Sequence, residues 1–179
     1  MPSTLERFDA AADGFRRRLA MATADDAERP SPCEGWTAKD VIEHTIGVVV
    51  MVTNLVGAPV AADASSDDLA RYDVAVADLL RKVADPGLGA TEVDGPFGKM
   101  ALKQLVSGIV VHDLLVHTWD LARATGTDEQ LDEELVTHTL ASMTPFDEVL
   151  REHGFAAKVP VDDGADAQTE LLCFLGRRP

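Results

Sequence analysis

The chain has 179 residues, enough for one domain with a substantial core. At 46% hydrophobic and 26% charged, its composition is neither that of a disordered chain nor that of a membrane-embedded one. The 31 acidic residues outnumber the 16 basic ones, and the net charge of −15 leaves no basic footprint for nucleic acid or an anionic membrane. Two cysteines, Cys33 and Cys173, do not make a disulfide framework, and a reducing compartment fits best. Met1 to Phe15 carries acids and lacks a continuous apolar run, so it does not read as a secretory signal, and a cytoplasmic location is expected. The uncharged stretch from Thr45 to Ala62 contains Thr53, Asn54, Gly57 and Pro59 and falls short of a clean membrane span.

In chain order, Leu5, Phe8, Ala12, Phe15 and Leu19 recur at three- and four-residue steps, which predicts an amphipathic helix over residues 4–22. Arg16, Arg17 and Arg18 near its end suit the helix dipole. Pro30, Pro32 and Gly35 mark a loop. Thr37 is a good N-cap, with Asp40 at the third position of a capping box, and starts a second helix. Val41, His44, Thr45, Val48 and Val52 share a face of that helix, so His44 points inward. A loop over Gly57–Ser66 leads to a third helix over residues 67–84, with Leu69, Val76, Leu79, Leu80 and Val83 apolar. Residues 85–100 are rich in turn formers and leave room for a short hairpin at most.

The most informative stretch follows, a long helix from about Lys99 to Thr125 with Gly126 as its C-cap. Between Gln104 and Trp119 the one formal charge is Asp113. A carboxylate in an apolar setting is normally paired, hydrogen-bonded or bound to a metal. Asp113 and His117 are four residues apart and share a face. They read either as half of a metal site or as a buried Asp–His hydrogen bond. Asp128 is the expected cap of a further helix running to about Glu152, ended or restarted at Pro145. His138 and His153 are expected at the surface. The tail carries an extended Val159-Pro160-Val161 piece and a short helix with Leu171, Leu172, Phe174 and Leu175, stopped by Gly176.

No repeat or long linker divides residues 1–179, so a single all-α bundle domain is expected. In a bundle, facing helices build a site from inward side chains, and His44, Asp113 and His117 are the candidates to meet there.

Two blocks carry a resemblance. They are Pro32-Cys33-Glu34-Gly35-Trp36-Thr37 followed by His44, and Val116-His117-Thr118-Trp119-Asp120-Leu121-Ala122-Arg123-Ala124-Thr125-Gly126. With the ending Leu171 to Pro179, they resemble the DinB-like superfamily of four-helix metal proteins, in the actinobacterial branch of mycothiol-dependent maleylpyruvate isomerase. The resemblance implies a DinB-like four-helix bundle with a short extra C-terminal segment. It also implies a divalent metal held by His44, Asp113 and His117. Asp113 stands where the isomerase has glutamate. Two imidazoles and a carboxylate leave zinc an open position, as in catalytic sites. Nickel, iron or manganese could use the same ligands.

The function implied is a metal-dependent enzyme that activates a low-molecular-weight thiol such as mycothiol for transfer to, or isomerisation of, a small electrophile. The alternative is a non-catalytic metal-binding bundle. The expected partners are the small thiol and substrate, with no nucleic acid and no membrane; a homodimer is left open. The isomerase has a further C-terminal domain where this chain has a short tail, which argues against maleylpyruvate itself. Each further residue has two readings. Asp120 orients a ligand, or it pairs with Arg123 or caps a loop. Trp36 and Trp119 line a pocket mouth or pack in the core, the commoner use. Arg123 holds a carboxylate or makes a structural ion pair. Cys33 is a reactive thiol or ligand, or more ordinarily an inert buried cysteine. His112, five residues before His117, points elsewhere on the helix.

Overall fold

A computed structural model describes residues 2–60, 67–95, 98–152 and 156–179. Helix α1 spans Thr4–Met21 and is opened by Ser3, whose hydroxyl accepts from the Glu6 amide in a full capping box. Helix α2 spans Ala38–Thr53 and is opened by the expected Thr37–Asp40 box. Helix α3 spans Asp68–Ala84 behind an Asp67 cap. A short turn, α4 (Pro86–Gly89), leads to strands β1 (Glu92–Gly95) and β2 (Gly98–Ala101). These pair antiparallel from Glu92–Ala101 to Gly95–Gly98 and form the anticipated hairpin.

The long helix begins at Leu102 rather than Lys99, because Lys99 to Ala101 are taken up by β2. It comprises α5 (Leu102–Leu105), a turn of π-helix at Val106–Val110, and α6 (Val111–Thr125). Gly126 ends it in the left-handed conformation at φ 71°, where a side chain would be strained. This 24-residue helix is apolar enough to cross a membrane, yet 78% of its most apolar window is buried inside the protein. Its hydrophobicity is that of a central core helix.

The four long helices close a ring. Helix α6 packs on α1 and α2, and α3 packs on the other flanks of α1 and α2. The shared core includes Phe8, Phe15, Ile46, Tyr72, Leu79, Leu114 and Trp119, all essentially inaccessible to solvent. Tyr72 donates to the Ala12 carbonyl, satisfying its hydroxyl. Lys82 is fully buried but fully partnered. Its ammonium donates to the Thr53 and Ala58 carbonyls and pairs with Asp78, tying α3 to the end of α2.

One expectation changes beyond α6. The next helix, α7, spans Glu133–Met143 and is capped by Asp132, which accepts from the Leu135 amide. Asp128 is not the cap. It pairs with the buried Arg18, which also donates to the Asp128 and Gln130 carbonyls and pins this loop to α1. As expected, Pro145 interrupts the helix, which resumes as α8 (Asp147–Glu152). The C-terminal helix α9 (Ala167–Phe174) packs on α7, and Gly176 turns the chain back at φ 83°. The readings for His153 and for the end of the Gly57–Ser66 loop fall on residues outside those described. This all-α bundle with an added C-terminal segment is the fold that the resemblance implies.

Candidate metal centre

Because α2 and α6 are neighbours in the ring, His44 meets Asp113 and His117. The His44 Nε2 lies 3.2 Å from Asp113 Oδ1. The His117 Nε2 lies 3.5 Å from that same oxygen. The two imidazole centroids are 4.9 Å apart, edge to face. The second Asp113 oxygen, Oδ2, is shielded from solvent and has no hydrogen-bond partner among the described residues. A buried carboxylate oxygen left bare is costly. This donor set, two Nε2 atoms and one carboxylate with an unused oxygen, fits a divalent cation.

Behind His117 stands a second layer. Its Nδ1 faces Asp120 Oδ2 at 2.9 Å, across one helical turn. The fully buried Asp120 is clamped by Arg177, whose Nε donates to Oδ1 at 3.2 Å and whose Nη2 donates to Oδ2 at 2.8 Å. Cys33 completes the group, 3.3 Å from Asp120 Oδ2 and 3.4 Å from Arg177 Nη2. Of the two readings of Asp120, the geometry is that of a carboxylate orienting a histidine.

Two triads therefore share His117: His44–Asp113–His117 in front, and Cys33–His117–Asp120 behind. The rear triad already holds the guanidinium of Arg177. Among the described residues no arginine or lysine reaches the front triad, which retains the bare oxygen. On that ground the front triad is the one suited to a metal.

Charge agrees with geometry. Burial opposes the Asp113 carboxylate, yet the contacts with His117 and His44 hold its pKa well below the ordinary range. Burial likewise opposes an imidazolium at His117, but hydrogen bonds to Asp113 and Asp120 raise its pKa well above the usual histidine value. A proton on Nε2 and a metal ion would compete for the same position. Asp120 is held below the ordinary range, against burial, by His117 and Arg177.

The loop before α2 positions the remaining pieces. The Trp36 amide donates to the Cys33 carbonyl in a tight turn, and Gly35 takes the φ of 77° that the turn requires. Trp36 is thereby laid over the histidines, 4.9 Å from His44 and stacked 5.9 Å from His117. Trp119 is not at a pocket mouth; it is 1% exposed and packs in the core. Arg123 does not reach the site, being engaged with Glu129 at 2.8 Å and covering the Trp119 ring at 4.7 Å. Residue-level reading assigned no role to Arg177 and favoured an inert Cys33. The signal for Arg177 was a buried Asp120 in need of a cation, but its partner lies 57 residues away in sequence.

Beside the triad, a cavity of about 640 Å³ opens between α6, α7, α8 and the tail. Asp113, His117 and Arg177 line it together with apolar side chains and His112.

A ring of four helices with a histidine–carboxylate cluster between two of them defines the class: a helical-bundle protein with a candidate metal centre between its helices. The chain is matched over residues 8–122 by the mycothiol maleylpyruvate isomerase N-terminal domain family, and it belongs to that family. All three front-triad residues fall within the match, whereas Arg177 lies beyond it. Uncharacterized proteins of two Mycobacterium tuberculosis strains, CDC 1551 and H37Rv, are each 33% identical to it over 171 residues, covering 93% of both chains. No solved structure gives a significant match.

Proposed function

We propose that this protein is a metal-dependent enzyme that uses a small thiol, mycothiol or a close analogue, on an electrophilic small molecule in the cytoplasm. His44, Asp113 and His117 would hold the divalent cation, with zinc the best fit to two imidazoles and a carboxylate. The observation that carries the reading is Asp113, whose one oxygen faces both Nε2 atoms and whose other is buried and bare. Membership of a mycothiol-associated family supports the choice of thiol. When bound, the cation would supply a Lewis acid beside which a thiol ionises near neutral pH.

The chain's own residues do the rest. Asp120 and Arg177 fix the His117 ring so that Nε2 faces Asp113. Trp36 covers the two imidazoles and limits access of water from its side. Asp113 would neutralise part of the charge that a bound cation introduces.

The test is direct. Purified protein is assayed for metal by elemental analysis, alongside His44→Ala and His117→Ala. Metal-loaded protein is then incubated with mycothiol and electrophiles such as monochlorobimane. Near-stoichiometric metal lost in both variants, with thiol conjugation dependent on the metal, is the expected result. Full metal occupancy in either variant removes that residue from the ligand set. Bound metal without turnover on any electrophile favours a non-catalytic metal protein instead.

A further inference from the structure

The cavity beside the triad is built from two parts of the chain. Ile109, Val116 and the metal candidates Asp113 and His117 belong to residues 8–122, the stretch that the family match covers. Met143, Phe146, Leu150 and Leu175 come from the segment after it. Three of these four are buried, whereas Phe146 leaves 56% of its surface exposed. An exposed aromatic ring on a cavity wall is apolar surface still open to burial by a ligand. At about 640 Å³ the cavity falls within the range of small-molecule sites, roughly 300–1,000 Å³.

The polar side chains on its walls are mostly engaged with the protein. Ser142 Oγ lies 3.1 Å from His112 Nε2 and 3.0 Å from the Thr139 carbonyl. Arg177 bonds Asp120 and the Leu175 carbonyl. Gln104 accepts from the Ala101 amide at 3.0 Å. Asp113 and His117 differ, because Asp113 carries the bare oxygen and a cation would sit between them and His44. A molecule in the cavity therefore meets polar capacity at Asp113 and His117 and apolar surface over much of the remaining wall. The π-helical turn at Val106–Val110 adds Gly108 and Ile109 to the lining, and such turns are frequent at functional sites.

We infer that this cavity seats a substrate with an extended apolar body, its reacting end at Asp113 and His117 and its body against Met143, Phe146 and Leu150. Whatever a cation contributes at the reacting end is common to substrates of any length. The segment beyond the family match then sets which body is accepted. A compound with a second charge in its body would bury that charge against apolar walls, at a large cost. That the occupant is a substrate rests on the metal and thiol reading above; the apolar seat stands on its walls.

The experiment holds the head group fixed and varies the body. Butanoate, hexanoate and octanoate are titrated into the protein as purified and followed by methyl NMR, so that any contribution of a cation cancels. Each added methylene should tighten binding about threefold. Octanoate should bind about tenfold or more tightly than octanedioate, which keeps head and length but ends in a second carboxylate. Shifts are expected at Ile109, Val116, Met143 and Leu150. The series 1-butanol, 1-hexanol and 1-octanol needs no cation and should show the same increment. Phe146→Ser, on an exposed side chain, should weaken octanoate and 1-octanol severalfold and their four-carbon counterparts little. Val74→Ser, at an apolar residue of α3 that is 47% exposed, should change none of them. Alcohol affinity that does not rise with length overturns the inference. So do octanedioate binding as tightly as octanoate, shifts that map elsewhere, or a Phe146→Ser protein that binds as wild type does. Length dependence and mapping decide even if Phe146→Ser does not fold. Alcohol binding without fatty-acid binding upholds the apolar seat and counts against the cation. Failure of the length dependence, in turn, leaves metal content and thiol conjugation, which are measured separately, untouched.

Discussion

Asp120 and His117 face each other across one turn of α6, Oδ2 to Nδ1 at 2.9 Å, and this contact aims the other ring nitrogen at Asp113. The orientation of a ligand is thus built into the helix that carries it. Asp120→Asn keeps the shape but removes the charge that favours this ring pose. Metal affinity should fall about 10- to 100-fold. Competition against a chelating dye measures it, and unchanged affinity would mean that His117 is held by packing alone.

The two triads that share His117 make different predictions. If the front triad holds the cation, Cys33→Ser retains full metal. Cobalt-substituted protein then shows no sulfur-to-metal charge-transfer absorption until a thiol is added. A band present before thiol, lost in Cys33→Ser, would move the ion to the rear triad and displace Arg177.

Much of this was legible in the residues. The capping box at Thr37–Asp40, the Gly126 terminator and the i, i+4 spacing of Asp113 and His117 are local signals, and local signals survive folding. His44 could be placed on an inward face because α2 repeats its apolar residues with helical period. The errors have a different origin. Asp128 looks like a cap, but the buried Arg18 claims it from α1, and Asp132 takes its place. Arg123, three residues from Asp120, was one of the two readings for its partner. It turns instead to Glu129, and the guanidinium that reaches Asp120 comes from the other end of the chain. Long-range charge pairing leaves no periodic trace in sequence.

That distant guanidinium should matter for stability as well as for the site. Arg177 joins a side chain 15% exposed to one that is fully buried. Removing one partner of a buried pair strands the other. Arg177→Gln should cost about 3 kcal/mol, read by urea unfolding at neutral pH. Arg178→Gln, on an exposed side chain, should cost nothing measurable and serves as the control. A cost under about 0.5 kcal/mol for Arg177→Gln would place the tail outside the cooperative core.

Away from the site, Asp78 sets an acid limit. Burial raises its pKa, but hydrogen bonds from Lys82, Arg81 and Thr53 outweigh this and bring it down to about 2, from 3.8. A carboxylate depressed in the folded state binds its proton more readily when unfolded. Its stabilisation is therefore complete above the unfolded value and is lost as the pH falls from about 3.8 toward 2. The shift corresponds to about 2 kcal/mol. Asp78→Asn should lower stability by at least that much at pH 7, since Lys82 also loses its counter-charge inside the protein. The gap between wild type and variant should narrow by about 2 kcal/mol between pH 5 and pH 2, measured by urea titrations at each pH. A gap that stays constant over that range would mean that the Asp78 charge contributes nothing and that only its shape is needed beside Lys82.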